Sequence, residues 1–302
     1  MALTVVNCIF GIISIIATII YSGRSSLFTQ KLNELLHWKS GCNPISSVGN
    51  VTLHYFATQG KAEAIRMLMV DQQIPFTETN YTEQTWPNAK HNGTATGLFT
   101  FGQVPAITTS KGLQFVDSKV IIQVLGRSVG LDCDCADITK CDTIAAGVND
   151  LYMSRSKVWN DPNSSYSTRN KFINDILFTW LGYFERLVPN STSESDGIYF
   201  SSERLTWVDY LVFELIESNC GFISQTAVKQ NNPDSVNKQD VVLNNYIKED
   251  NEKYENIKDC QSLIENFPKL NTFYKSFRNR SRLKTYLNGK RHSLFIPLPK
   301  IK

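Results

Sequence analysis

The chain has 302 residues, 42% of them apolar and 11% aromatic, with 31 Lys and Arg against 28 Asp and Glu. That is enough apolar material for a two-domain globular protein and too little charge bias for a disordered one. A formal charge of +3 gives no reason to invoke nucleic acid, and neither an internal repeat nor a glycine-rich phosphate loop is present.

In chain order, the first element is an uncharged, isoleucine-dense run from Leu3 to Tyr21. It is just long enough to cross a bilayer, so residues 1–22 are expected to form a transmembrane or signal-anchor helix. A cleaved secretory signal is the rival, but no Lys or Arg precedes the run and no small-x-small site ends it. Arg24, Lys31 and Lys39 follow, which by the positive-inside rule places the rest of the chain in the cytosol; signal cleavage would instead leave it lumenal or secreted. Residues 23–49, with Leu27, Phe28, Leu32, Leu35, Leu36 and Trp38, read as an amphipathic stalk ending in a Gly, Ser and Asn linker. Asn50, Asn80, Asn92, Asn163, Asn190 and Asn279 each head a glycosylation sequon, a number close to what the Asn, Ser and Thr content supplies by chance. The cysteine count is odd, at 7, and the gaps among Cys133, Cys135 and Cys141 do not fit zinc, so reduced thiols are expected and no metal.

From residue 50 the pattern changes. Val51–Phe56 reads as a strand, Ala62–Val70 as a helix, Ile74–Tyr81 as a strand and Gln84–Lys90 as a polar loop. Val104 precedes a proline and is pushed extended, while Pro105 lacks an N–H and suits the start of a strand. Ser118 reads as the N-cap of a helix carrying Val120, Ile121, Val124 and Leu125. Residues 50–130 thus form a half-size α/β unit.

Residues 131–302 read as helices. Ile144, Val148, Leu151 and Tyr152 make one apolar stripe, and Phe172, Ile176, Leu177, Trp180, Leu181, Phe184 and Leu187 a second. A third helix begins at Thr206, whose hydroxyl can cap the backbone while Asp209 reaches back. Between about residues 223 and 258 a Lys, Asn, Asp and Glu-rich stretch reads as an exposed insertion.

The order of these elements and their residues resembles the cytosolic glutathione transferase superfamily, closest to its tyrosine-type sigma, pi and mu classes. Leu53-His54-Tyr55-Phe56 through Gln59-Gly60-Lys61-Ala62-Glu63-Ala64-Ile65-Arg66 is similar to the family's first strand and helix, and Trp86-Pro87-Asn88-Ala89-Lys90 to a sigma-class signature. Val104-Pro105 and Asp117-Ser118 follow in the expected order, and Leu205-Thr206-Trp207-Val208-Asp209-Tyr210 resembles the capping-box helix of the second domain. The resemblance spans residues 51–298. It implies a thioredoxin-like α/β domain followed by an all-α domain, here with an added N-terminal transmembrane helix.

The resemblance also implies a site. Tyr55 would stabilise the thiolate of glutathione, and Lys61, Trp86, Lys90, Gln103, Val104, Pro105, Asp117 and Ser118 would bind the tripeptide, with Asp150 reaching in from the partner subunit of a homodimer. Tyr152, Arg155 and Trp159, with the tail Leu294–Leu298, would line the pocket for a small apolar electrophile. Lys61 stands where many relatives carry an arginine, and Asp117 where many carry glutamine. Alternatives to conjugation are a glutathione-dependent isomerase or peroxidase acting on lipid-derived substrates, like prostaglandin D synthase, and a non-catalytic binding or structural member of the fold. No cysteine stands where Tyr55 does, which argues against the thiol-transfer subclasses.

Overall fold

The computed structural model describes residues 47–189, 199–200, 204–230, 257 and 259–289. The segment Leu3–Tyr21, the stalk, the sequon at Asn190 and the tail Leu294–Leu298 lie outside the described residues. Among the described residues no helix is long and apolar enough to cross a membrane.

Four strands form one sheet: β1 (Val51–Phe56), β2 (Phe76–Tyr81), β3 (Ala106–Thr109) and β4 (Gln114–Val116), in the order β2-β1-β3-β4. β1 runs parallel to β2 and antiparallel to β3, which in turn is antiparallel to β4. β1 is the central hydrophobic strand, with Val51, Leu53, Tyr55 and Phe56 all buried, as a strand covered on both faces must be. A 3₁₀ turn (Gly60–Ala62) leads into α1 (Glu63–Asp71); α2 (Trp86–Ala95) and α3 (Ser118–Ser128) complete the α/β part. The expected polar loop at Gln84–Lys90 is corrected here: Trp86 opens α2, and Pro87 sits in its first turn, where a fixed φ and a missing N–H favour a helix start.

The remainder is helical: α4 (Ile138–Asn160), α5 (Tyr166–Lys171), a π-helical turn (Phe172–Leu177), α6 (Phe178–Leu187), α7 (Trp207–Gln230), α8 (Cys260–Ile264), α9 (Pro268–Arg278) and α10 (Ser281–Leu287). The π turn has more residues per turn than an α-helix and shifts the second apolar stripe, so Ile173 is buried while Ile176 and Leu187 are exposed. α7 continues through Gln230, with Ile223 and Thr226 buried, so the polar insertion begins after residue 230 rather than at 223. Gly126 lets α3 approach α7 closely: a Cβ there would lie 2.8 Å from the Cβ of Trp207.

At the start of α7 the carboxylate of Asp209 accepts the N–H of Thr206 at 2.7 Å and that of Phe200 at 2.8 Å. The Thr206 hydroxyl donates to the same carboxylate at 2.9 Å, so the acid gathers three donors of the cap. Desolvation pushes the Asp209 carboxyl up to about 6, against the three donors, which pull it down.

The expectation of reduced thiols is overturned. Cys133 is disulfide-bonded to Cys141 and Cys220 to Cys260, and Cys135 is disulfide-bonded as well. The first bridge fastens the segment before α4 to its first turn, and the second ties α7 to α8 across the 40-residue separation that holds the polar insertion.

Candidate glutathione site

Strand register brings the expected residues together. β1 pairs with β3 through His54↔Ala106, and β3 with β4 through Ala106↔Val116. One step further along each ladder, Tyr55, Pro105 and Asp117 fall side by side at one end of the sheet. Pro105 follows a cis peptide bond from Val104, which lies beyond the last paired residue of β3, partly exposed, with Gln103 exposed before it. Lys90, on α2, crosses this loop: its Cε would be 3.0 Å from a Cβ placed on Gly102.

Tyr55 is buried, at 2% exposure. Its Oη accepts the backbone N–H of Lys61 at 3.0 Å, and among the described residues it donates to nothing. Gly60 makes this approach possible: it adopts φ +44°, and a Cβ on it would lie 2.5 Å from the Tyr55 Oη. Desolvation above all, then the nearby Tyr152 and Glu214, raise the Tyr55 pKa; the Lys61 N–H and Arg66 lower it less. The group is therefore a neutral phenol that can donate a proton in a hydrogen bond, not a base.

Asp117, rather than Ser118, is the N-cap of α3. Its Oδ1 accepts the N–H groups of Lys119 at 2.9 Å and Val120 at 3.2 Å, and Ser118 is the first helical residue. Asp117 holds φ +76°, a conformation that costs a non-glycine residue about 1–3 kcal/mol and that concentrates at functional sites. The exposed carboxylate and the Ser118 hydroxyl thus stand at a helix N-terminus on the same sheet end as Tyr55.

The other expected residues are placed differently from one another. Trp86 is 5% exposed and its ring sits among Phe56, Tyr81 and Phe99, with centroids 5.4, 5.4 and 5.5 Å away, as a core member of the α/β part. The Lys61 ammonium donates to Asn149 Oδ1 at 3.4 Å and lies 5.3 Å from the Tyr152 ring centroid, reaching across to α4. Tyr152 is half-buried beside it. Arg155 is buried, bonded to Ser218 Oγ and stacked 5.1 Å from the Tyr152 ring centroid. Trp159 packs on Phe222 at 5.3 Å with Arg169 over it. Arg155 and Trp159 thus serve the packing of the helical part. Asp150 is exposed on α4.

Sequence reading missed the polar cluster behind the Tyr55 turn. The Arg66 guanidinium donates to the carbonyls of Thr58 at 2.8 Å, Gln59 at 3.2 Å and Phe56 at 3.4 Å, and to both Glu63 and Glu78. These groups border a cleft of about 400 Å³ together with Asn80 and Tyr286. The only signal in the sequence was the Glu63/Arg66 spacing, which fits an i,i+3 helical pair.

The comparisons agree with the geometry. Residues 149–238 match the glutathione S-transferase C-terminal domain. A glutathione S-transferase of Dirofilaria immitis is 28% identical over 167 residues, 55% of this chain and 74% of the relative, and one of Plasmodium falciparum is 27% identical over 181 residues, 56% and 79% respectively. The pi-class glutathione S-transferase of Onchocerca volvulus superposes with a TM-score of 0.60 at 23% identity, covering 82% of this chain and 96% of that one. A structure of prostaglandin synthase D of Nilaparvata lugens gives 0.55 at 18% identity, covering 80% and 98%. These solved structures share the fold, a four-stranded sheet leading into a helical domain. The chain is thus similar to cytosolic-type glutathione S-transferases, with pi-class proteins among those it resembles.

Proposed function

We propose that the chain is a glutathione transferase in which the Tyr55 hydroxyl stabilises the glutathione thiolate for addition to a small apolar electrophile. The observation that carries this reading is the hydrogen-bonding state of Tyr55: the oxygen accepts from the Lys61 N–H, and its own proton is uncommitted. A free thiol has a pKa of about 8.5, so only a few per cent is thiolate at neutral pH. A hydrogen bond to the anion of about 1.5–3 kcal/mol lowers that pKa by about one to two. The raised pKa of Tyr55 keeps the donor protonated throughout this range.

We infer the binding roles from where these residues lie. Gln103 and Val104, beyond the end of the β3 ladder, offer backbone groups to the cysteinyl part of the tripeptide. Lys90 supplies a cation for its glycyl carboxylate. Asp117 and Ser118 meet the γ-glutamyl end, where the α3 N-terminus favours a carboxylate and the Asp117 acid pairs with the ammonium. Trp86 supports this end of the sheet by packing. Tyr152, beside Lys61, lines the approach of the electrophile. We infer a homodimer in which Asp150 of one subunit reaches the glutathione of the other. Phe101, on the loop that carries Gln103 and 76% exposed, supports an apolar contact between subunits.

The test is retention on immobilised glutathione with conjugation of a chromogenic aryl halide, in wild type and Tyr55→Phe. The variant is expected to bind glutathione, stay folded and lose about ten- to a hundredfold in turnover, or about 1.4–2.7 kcal/mol. Undiminished turnover near neutral pH removes Tyr55 from the mechanism.

A further inference from the structure

Two features of the helical part fit poorly with a reducing compartment. The Cys133–Cys141 and Cys220–Cys260 pairs are closed, and Cys133, Cys141 and Cys220 are buried. None of the four cysteines lies in the sheet, and none borders the Arg66 cleft. Their role is to fasten helices, and disulfides of that kind form and persist where thiols are oxidised, in secretory compartments and outside cells.

The sequons then gain weight that their number alone lacks. Asn80 sits in the β2 ladder opposite Tyr55, Asn92 lies inside α2, Asn279 closes α9, and the Asn50 backbone is tied to Ser110 Oγ at 3.0 Å. Asn163 differs. It lies in the exposed turn between α4 and α5, its backbone N–H held by Asp161 Oδ1 at 2.8 Å, and its side-chain amide is bonded to no described residue. The hydroxyl that completes its sequon belongs to Ser165, the N-cap of α5, which accepts the Thr168 N–H at 3.0 Å. A turn that projects the amide into solvent is the placement an N-linked sugar requires.

We propose that the α/β and helical parts lie on the lumenal or extracellular side of a membrane, close the Cys133–Cys141 and Cys220–Cys260 disulfides there, and carry an N-linked glycan on Asn163. The apolar run Leu3–Tyr21 is the feature that directs the chain there. Each disulfide forms as two thiols give up two protons and two electrons to a disulfide-bearing oxidase, whose own disulfide is reduced to two thiols. In glycosylation the Asn163 amide nitrogen bonds to the anomeric carbon of a polyprenyl-diphosphate oligosaccharide. The sugar–phosphate bond breaks, the lipid diphosphate leaves, and the amide proton passes to a base on the transferring enzyme.

The experiment uses the full chain in its native cells. Free thiols are alkylated with a membrane-permeant reagent before lysis, and peptides are mapped without reduction before and after N-glycosidase. Expected are two cross-linked peptide pairs, Cys133 with Cys141 and Cys220 with Cys260, and a glycosidase-sensitive mass on the Asn163 peptide. Asn163→Gln removes that mass, whereas Ser165→Thr, which preserves both the sequon and the helix cap, retains it. Alkylation of these four cysteines, or an Asn163 peptide recovered wholly unmodified, overturns the proposal.

Discussion

The two sides of the turn between β1 and α1 are built to opposite specifications. On one side Arg66 fills its donor capacity with three backbone carbonyls and two carboxylates, its side chain only 4% exposed. On the other side Tyr55 keeps an uncommitted proton, Gln103 and Asp117 are open to solvent, and Asp117 holds a costly backbone conformation. The difference shows how a strained, unsatisfied site can persist: the saturated side fixes the carbonyls of Phe56, Thr58 and Gln59, and that in turn holds the Lys61 N–H against Tyr55.

The sharpest way to break this contrast is Arg66→Met. It takes the guanidinium away from Glu63 and Glu78, whose side chains are 3% and 5% exposed, and a loss of about 3–5 kcal/mol in denaturant-unfolding stability is expected. Conjugation should fall with it as the turn loosens. If stability and turnover both survive, the two sides are not coupled.

Asp209 offers a control outside this turn. Its folded pKa of about 6 exceeds the ordinary 3.8, so the fold favours the protonated acid, and the stabilisation is complete below pH 3.8 and lost as pH rises through 6, by about 3 kcal/mol. Unfolding midpoints of wild type and Asp209→Asn between pH 4 and 7 measure this: the wild type should decline relative to the variant over that range. Parallel profiles would show that the three donors cancel the burial.

A smaller change reaches the open side directly. Gly60→Ala places a methyl 2.5 Å from the Tyr55 Oη at positive φ, and should cost about 1 kcal/mol of stability and about tenfold in turnover, or about 1.4 kcal/mol. Turnover equal to wild type would mean that the position of the hydroxyl is not critical. The smallest effect is expected from Asp150→Ala: a rise in the KM for glutathione of about threefold, or about 0.7 kcal/mol, with little change in kcat, because only ground-state binding is removed. An unchanged KM in a dimeric preparation leaves Asp150 as a solvated helix charge.

Much of this was written locally. The alternation and apolarity of Val51–Phe56, the Val104-Pro105 step and the Thr206/Asp209 pair depend on neighbours within a few residues, and short-range sterics and hydrogen bonding suffice to read them. So does the existence of α4, α6 and α7, whose apolar stripes repeat at helical period. What the tertiary structure decided depends on residues far apart in sequence. Register alone sets Tyr55, Pro105 and Asp117 side by side, and the packing of Phe56, Tyr81 and Phe99 draws Trp86 into the core. The choice of Asp117 over Ser118 as cap needed the backbone angle that β4 imposes on the residue after it. Asp71 shows the limit most plainly. It closes α1 with an unremarkable sequence around it, yet it accepts from Tyr210 at 2.6 Å and Arg280 at 2.8 Å, partners 139 and 209 residues away. Which cysteines pair has the same character, because a disulfide is fixed by where two chain segments meet in space, and no spacing along the chain encodes that meeting.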